Sequence, residues 1–177
     1  MRKFWNPFVL SGALLLIGAP VHALEVGDLA PDFELPGTDD KLYRLSDYRD
    51  KQTVVLAWFP QAYTSGCTIE CKSLTENGHL IQKFKATYFM ASVDQLADNK
   101  GFAIETGADF PLLSDEDKSV AKAYGVLHPK GFAKRQTFYI GEDGRILKID
   151  RDIRPETSAE DIASTLAELR VERQVTE

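Results

Sequence analysis

Cys67 and Cys71 are the only thiols of the chain, and three residues separate them in "FPQAYTSGCTIECKSL", residues 59–74. Three chemistries suit such a pair: a clip for a soft metal, a covalent staple, or a reactive thiolate with a partner thiol. A staple contributes little, because so short a closed loop removes little chain entropy. The other readings depend on where Cys67 sits. Upstream, "TVVLAWF" is a continuous, β-branched apolar run of the kind that forms a strand covered on both faces. Downstream, Gly and Pro are absent until Gly78, and a helix from about Cys67 to Phe84 is predicted. The loop "PQAYTSG" then delivers Cys67 to a helix N-terminus outside the carboxyl end of a central strand, where open α/β sheets place ligand sites. Unpaired N–H groups and the helix dipole favour a thiolate there, and the neighbouring Gly66 argues for exposure.

Cys71 lies one turn further in, on roughly the stripe of Leu74 and Ile81, where a small core hydrophobe is the alternative to a partner thiol. In an intact helix the two Cα atoms are ~6 Å apart, but parallel Cβ vectors hold the Cβ atoms beyond the ~4 Å a disulfide needs. Pairing therefore requires the first helical turn to unwind.

The elements around this segment read as one domain. "DFELPG" and "KLYRL" alternate about a turn at residues 37–40 and predict an N-terminal hairpin. "TYFMASV" is a second buried strand, followed by a polar helix over residues 95–106. In "SDEDKSVAKAYGV", Ser114 is expected as a helix cap with Gly125 after the last turn, and the acids as a solvated helix start. "QTFYI" and "RILKI" flank the turn "GEDG" as a hairpin. Residues 158–171 form an amphipathic terminal helix, after which "RVERQVTE" is expected to fray. The order implies an α/β fold, thioredoxin-like, with a mixed central β-sheet flanked by helices.

The N-terminus bears on the redox compartment. Arg2 and Lys3 precede a strongly apolar run from Phe8 to Ile17, Pro20 breaks it, and "VHA" offers a cleavage site after Ala23. Residues 1–23 are expected as a signal peptide and 24–177 as the mature domain, exported, most simply to a periplasm, with no stable membrane insertion after cleavage. The apolar run is shorter than the ~20 residues of a spanning helix. Loss of Arg2 and Lys3 takes the formal charge from −6 to −8, which argues against nucleic acid as a partner.

Pro60, Thr64 and Cys67 in "PQAYTSGC" resemble the active-site signature of the peroxiredoxins, thiol peroxidases on a thioredoxin fold. The likeness extends through "VGDLAPDFELPGTDDKLYRLSDYRDKQTVVLAWFP", "SVD", "FPLLSDEDKSVAKAYGV" and "RQTFYIGEDGRI", and is nearest the Q-type, or bacterioferritin-comigratory, subgroup. The resemblance implies that Cys67 attacks peroxide, that Thr64 hydrogen-bonds thiolate and peroxide, and that Pro60 shields the pocket. It implies that Arg135 stabilises the thiolate and the departing oxygen. It further implies a peroxide substrate, a thioredoxin-like or other thiol reductant, no bound cofactor or metal, and a monomer or weak dimer. Q-type enzymes usually place a resolving cysteine five residues after the first, whereas Cys71 follows by four. An intramolecular Cys67–Cys71 disulfide is the favoured cycle, and resolution by an external thiol is the alternative.

Two rivals use the same pair. A copper chaperone of the Sco type would add a distal histidine, for which "GVLHPKG" offers His128. A thiol-disulfide oxidoreductase would use a two-residue spacing, which is absent. His79 is expected to be exposed, and "GEDG" is no phosphate loop because no helix follows it.

Overall fold

The structure is a computed structural model that describes residues 23–174. The expected leader, apart from Ala23, lies outside the described residues. Among those residues no helix is long and apolar enough to cross a membrane.

Strand β3 (Thr53–Trp58) is buried at every residue, as its unbroken apolar sequence requires. It pairs in parallel with β4 (Ala86–Ser92), Val55 opposite Tyr88, and antiparallel with β6 (Gln136–Ile140), Val55 opposite Tyr139. The edges are β5 (Leu112–Ser114), parallel to β4, and β7 (Ile146–Asp150), antiparallel to β6, giving a mixed sheet in the order β5-β4-β3-β6-β7. The expected N-terminal hairpin is present as β1 (Glu34–Pro36) and β2 (Leu42–Arg44).

Alternate side chains of β3 enter two cores. Val55 and Ala57 pack beneath α1 (Ser65–Asn77), α2 (Leu96–Thr106) and α4 (Ser158–Glu168), through Leu74, Phe102, Ile162 and Leu166. Val54, Leu56 and Trp58 face the N-terminal segment and the short α3 (Ser119–Ala123), through Phe33, Leu35 and Tyr124. Helices α1, α2 and α4 thus share one face, and the helix that carries both cysteines is clamped between two others.

Four details differ from the sequence expectation. The cysteine helix begins at Ser65, two residues early, and at Gly78 tightens into a 3-10 segment ending at Lys83. A Cβ on Gly78 would overlap the Tyr88 hydroxyl, so this change of helix falls where a backbone must pass close to β4. Ser114 ends β5 and is not a cap; Lys118, left-handed at φ 64°, delays α3 until Ser119. Asp115 is not a solvated acid either. It is 1% exposed and accepts from the Val120 N–H at 3.3 Å and the Ala121 N–H at 2.7 Å, capping α3 from within the core. Finally, the C-terminal segment does not fray within the described residues: Lys85 N–H donates to Glu172 O and Gln174 N–H to Lys83 O, while Arg173 lies over the Phe84 ring.

Replacing Asp115 with Ala removes the acceptor for two buried N–H groups and is expected to cost about 1–2 kcal/mol. Urea denaturation should show this as a lower midpoint at unchanged slope.

Candidate active site

Thr64 stands at the N-cap of α1, so Cys67 occupies the third helical position, still inside the first turn. The N–H groups of Ser65, Gly66 and Cys67 precede the first helical bond, which Thr68 N–H donates to Thr64 O at 2.9 Å. The helix dipole is thus aimed at the sulfur, and no acidic residue in that turn opposes it.

The loop from β3 to α1 is held from the side by α2 and the segment before it. Ala62 N–H donates to Asp94 Oδ2 at 2.9 Å. Tyr63, left-handed at φ 63°, donates its hydroxyl to Asp98 O at 3.1 Å and sets its ring edge-on to Phe102. A Cβ on Gly101 would overlap that hydroxyl, so the glycine in the middle of α2 makes the notch that accepts Tyr63. A non-glycine residue in this backbone region costs about 1–3 kcal/mol and persists only where its surroundings hold it.

Arg135, one residue before β6, reaches the same point from the other flank of β3. Its Nη2 donates to Cys67 Sγ at 3.1 Å, and its Nη1 pairs with Glu70 Oε2. Glu70 is fully buried on α1, and its Oε1 has no hydrogen-bond partner. One planar fork therefore bridges a buried carboxylate and a sulfur, a task its fixed donor geometry permits and a lysine's single point does not. Gly66 gives the guanidinium its room, since a Cβ there would lie 3.3 Å from Nη2.

Cys67 is itself 0% exposed, which corrects the expectation of an exposed thiol. The Arg135 guanidinium lies against its sulfur, and the apolar core on the α1 face of the sheet closes around it. Thr64 is exposed, and its hydroxyl donates to Gln61 O at 2.9 Å instead of to the Cys67 sulfur, so here it shapes the loop. Pro60 is half-buried at the start of that loop.

Cys71 is equally buried and free, as Cys67 is. Its Sγ lies 3.2 Å from Thr106 Oγ1 at the end of α2. Burial is the largest cause that pushes the Cys71 thiol up, to about 11.

Arg135 and Cys67 are brought together as expected. Glu70, Tyr63, Gly101 and Thr106 were not foreseen. Glu70 carried a legible signal, a carboxylate three residues after Cys67 on the inward face of the helix, which only a buried cation satisfies. His128 is far from such a role: its ring stacks on Phe132 at 4.4 Å, and its Nδ1 accepts from Lys130 N–H within its own loop. Among the described residues no group of three or more His, Cys, Asp or Glu side chains is arranged to hold a metal, and the copper reading finds no support. His79 is exposed, as expected.

Comparison with known proteins agrees with this geometry. The AhpC/TSA family model matches residues 26–149. Peroxiredoxin Bcp of Escherichia coli (strain K12) is 32% identical over 141 residues, 76% of this chain and 90% of that protein. Among solved structures, the peroxidoxin BcpB of Mycobacterium tuberculosis superposes with a TM-score of 0.74 at 30% identity, covering 83% of this chain and 98% of that one. A PrxQ mutant of Xylella fastidiosa gives a TM-score of 0.76 at 27% identity, with the same coverage. The chain belongs to the AhpC/TSA family, in its Q-type, Bcp-like branch, and its sheet and helices are the thioredoxin-like arrangement of that family. It is a peroxiredoxin, a thiol-dependent peroxidase.

A thiol that titrates near 11 is neutral throughout the physiological range and reacts with iodoacetamide only as its thiolate. In folded Cys67→Ser, Cys71 should stay unmodified at pH 7, gain reactivity as pH rises toward about 11, and react at once when unfolded, as read by peptide mass.

Proposed function

We propose that this chain reduces hydrogen peroxide and organic hydroperoxides with Cys67 as the attacking sulfur, forms an intramolecular disulfide with Cys71, and is restored by a thioredoxin-like reductant after export. The observation that carries the reading is the Arg135 fork, with Nη2 3.1 Å from Cys67 Sγ and Nη1 on the buried Glu70. A cation fixed against a sulfur at a helix N-terminus stabilises negative charge there without a general base. The same cation is assigned to the departing peroxide oxygen, which acquires negative charge as the O–O bond breaks.

In the first step the Cys67 thiolate attacks one peroxide oxygen. The S–O bond forms as the O–O bond breaks, the sulfur is oxidised to sulfenic acid, and the other oxygen leaves as water or alcohol after taking a proton. In the second, the Cys71 sulfur attacks the Cys67 sulfur, the S–O bond breaks, and water departs. An external dithiol then reduces the disulfide. Thr64 and Pro60, at the loop that borders Cys67, are assigned to peroxide binding and shielding. Export rests on the basic residues, apolar run and small-residue site of residues 1–23.

One equivalent of hydrogen peroxide added to the reduced protein should give a monomer lighter by two hydrogens with both thiols blocked to alkylation. Cys71→Ser should stop at a sulfenic acid, and Cys67→Ser should not react. Peroxide consumption by Cys67→Ser at the wild-type rate would overturn the assignment, and a sulfenic acid that persists in the wild type would replace Cys71 by an external thiol.

A further inference from the structure

The two sulfurs sit on one helix, yet their polar partners lie on opposite flanks of β3. Arg135 holds Cys67 from the strand β6 side. Thr106 meets Cys71 from the end of α2, the crossover between β4 and β5 on the other side. The Thr106 hydroxyl has a single hydrogen, directed to Phe102 O at 2.7 Å within its own helix. Its oxygen is thereby left to accept from the Cys71 S–H. Thr106 is itself buried, and Gly107, left-handed at φ 70°, ends α2 immediately after it, so the acceptor is fixed in place.

Oxidation must bring the sulfurs together, and the helix is not equally soft at its two cysteines. Thr64 and Ser65 at the start of the helix are exposed and Gly66 and Thr68 are half-buried around the covered Cys67, whereas Glu70, Cys71, Ser73 and Leu74 further along are buried. The turn bearing Cys67 is the one that opens, and Cys71 stays in the core until its contact with α2 breaks.

We propose that Thr106 is a positioning residue for the resolving step: its hydroxyl latches the Cys71 thiol to α2 and thereby sets how long oxidised Cys67 waits before the disulfide forms. This rests on the peroxidase reading above and deepens it. While Cys67 is a sulfenic acid, two reactions compete for it. Attack by Cys71 forms S–S, breaks S–O and releases water; a second peroxide instead transfers an oxygen to give sulfinic acid, with water or alcohol leaving. A latch that delays the first favours the second.

The test compares Thr106→Val, which keeps the shape and removes the oxygen, with Thr106→Ser, which keeps the oxygen. Reduced protein is mixed with graded hydrogen peroxide and quenched, and sulfenic, disulfide and sulfinic forms are counted by intact mass. Thr106→Val should form the disulfide about 10-fold faster, as expected for loss of one hydrogen bond of ~1–1.5 kcal/mol. Its sulfinic fraction at high peroxide should fall in proportion, with the rate of the first oxidation unchanged and Thr106→Ser at wild-type values. A purely structural threonine would lower thermal stability in Thr106→Val without moving this partition, and that result overturns the proposal. So does the absence of an intramolecular disulfide in both the wild type and Thr106→Val, while Cys67 still oxidises. Failure of Cys67 to oxidise at all is a different result, which removes the peroxidase assignment and this inference with it.

Discussion

The site depends on one buried arrangement, a guanidinium that spans a carboxylate and a sulfur. Glu70 has no exposure, and a carboxylate taken out of water is tolerated only when a cation meets it. Arg135 meets that requirement with one arm and spends the other on Cys67. The charge that the core demands at Glu70 therefore also lies against the Cys67 sulfur, so one side chain serves both contacts. Removing the arginine leaves an uncompensated ion in the core, at a cost of about 3–5 kcal/mol, at the junction of α1 and β6.

The scaffold explains why this contact is possible. Strand β3 is central and fully buried, so the loop at its carboxyl end has a rigid base. Helix α1 starts directly after that loop, and β6, beside β3, brings Arg135 to the same end of the sheet. Gly66 leaves room for the guanidinium, 3.3 Å from where a Cβ would stand, and Gly101 leaves room for the Tyr63 hydroxyl, which a Cβ would overlap. Helix α2 restrains the cysteine segment on both sides, gripping Tyr63 before Cys67 and Cys71 after it. Both thiols are thus covered, Cys67 beneath the guanidinium and Cys71 against α2, at the ends of elements that can open locally without melting the sheet.

Much of the fold was legible because its signals are local. "TVVLAWF" announced a central strand through its unbroken apolar run, and "GEDG" announced a hairpin through its turn residues. The signature around Cys67 and the single arginine before "TFYI" were legible as well. What escaped was set by tertiary contact. The strand Leu112–Ser114 is too short for any period to show, and it displaced Ser114 from the expected cap. Cys67 reads as exposed from its loop and glycine, yet a distant arginine and the packing of three helices cover it. Thr64 donates within its own turn in this structure, a choice among hydroxyl partners that spacing alone does not decide. Thr106 lies 35 residues from Cys71, and nothing in the local pattern of either residue points to the other.

The most direct measurement is the second-order rate constant for hydrogen peroxide oxidising Cys67 in Arg135→Lys, followed by stopped flow beside the wild type. Lysine keeps the positive charge for Glu70 but lacks the second arm, so one charge-assisted hydrogen bond of about 1.5–3 kcal/mol is lost from the sulfur. The rate constant should fall roughly 10- to 100-fold while the variant remains folded. A folded Arg135→Lys that reacts at the wild-type rate would contradict the assignment, because it would show that the fork against Cys67 does nothing for its chemistry.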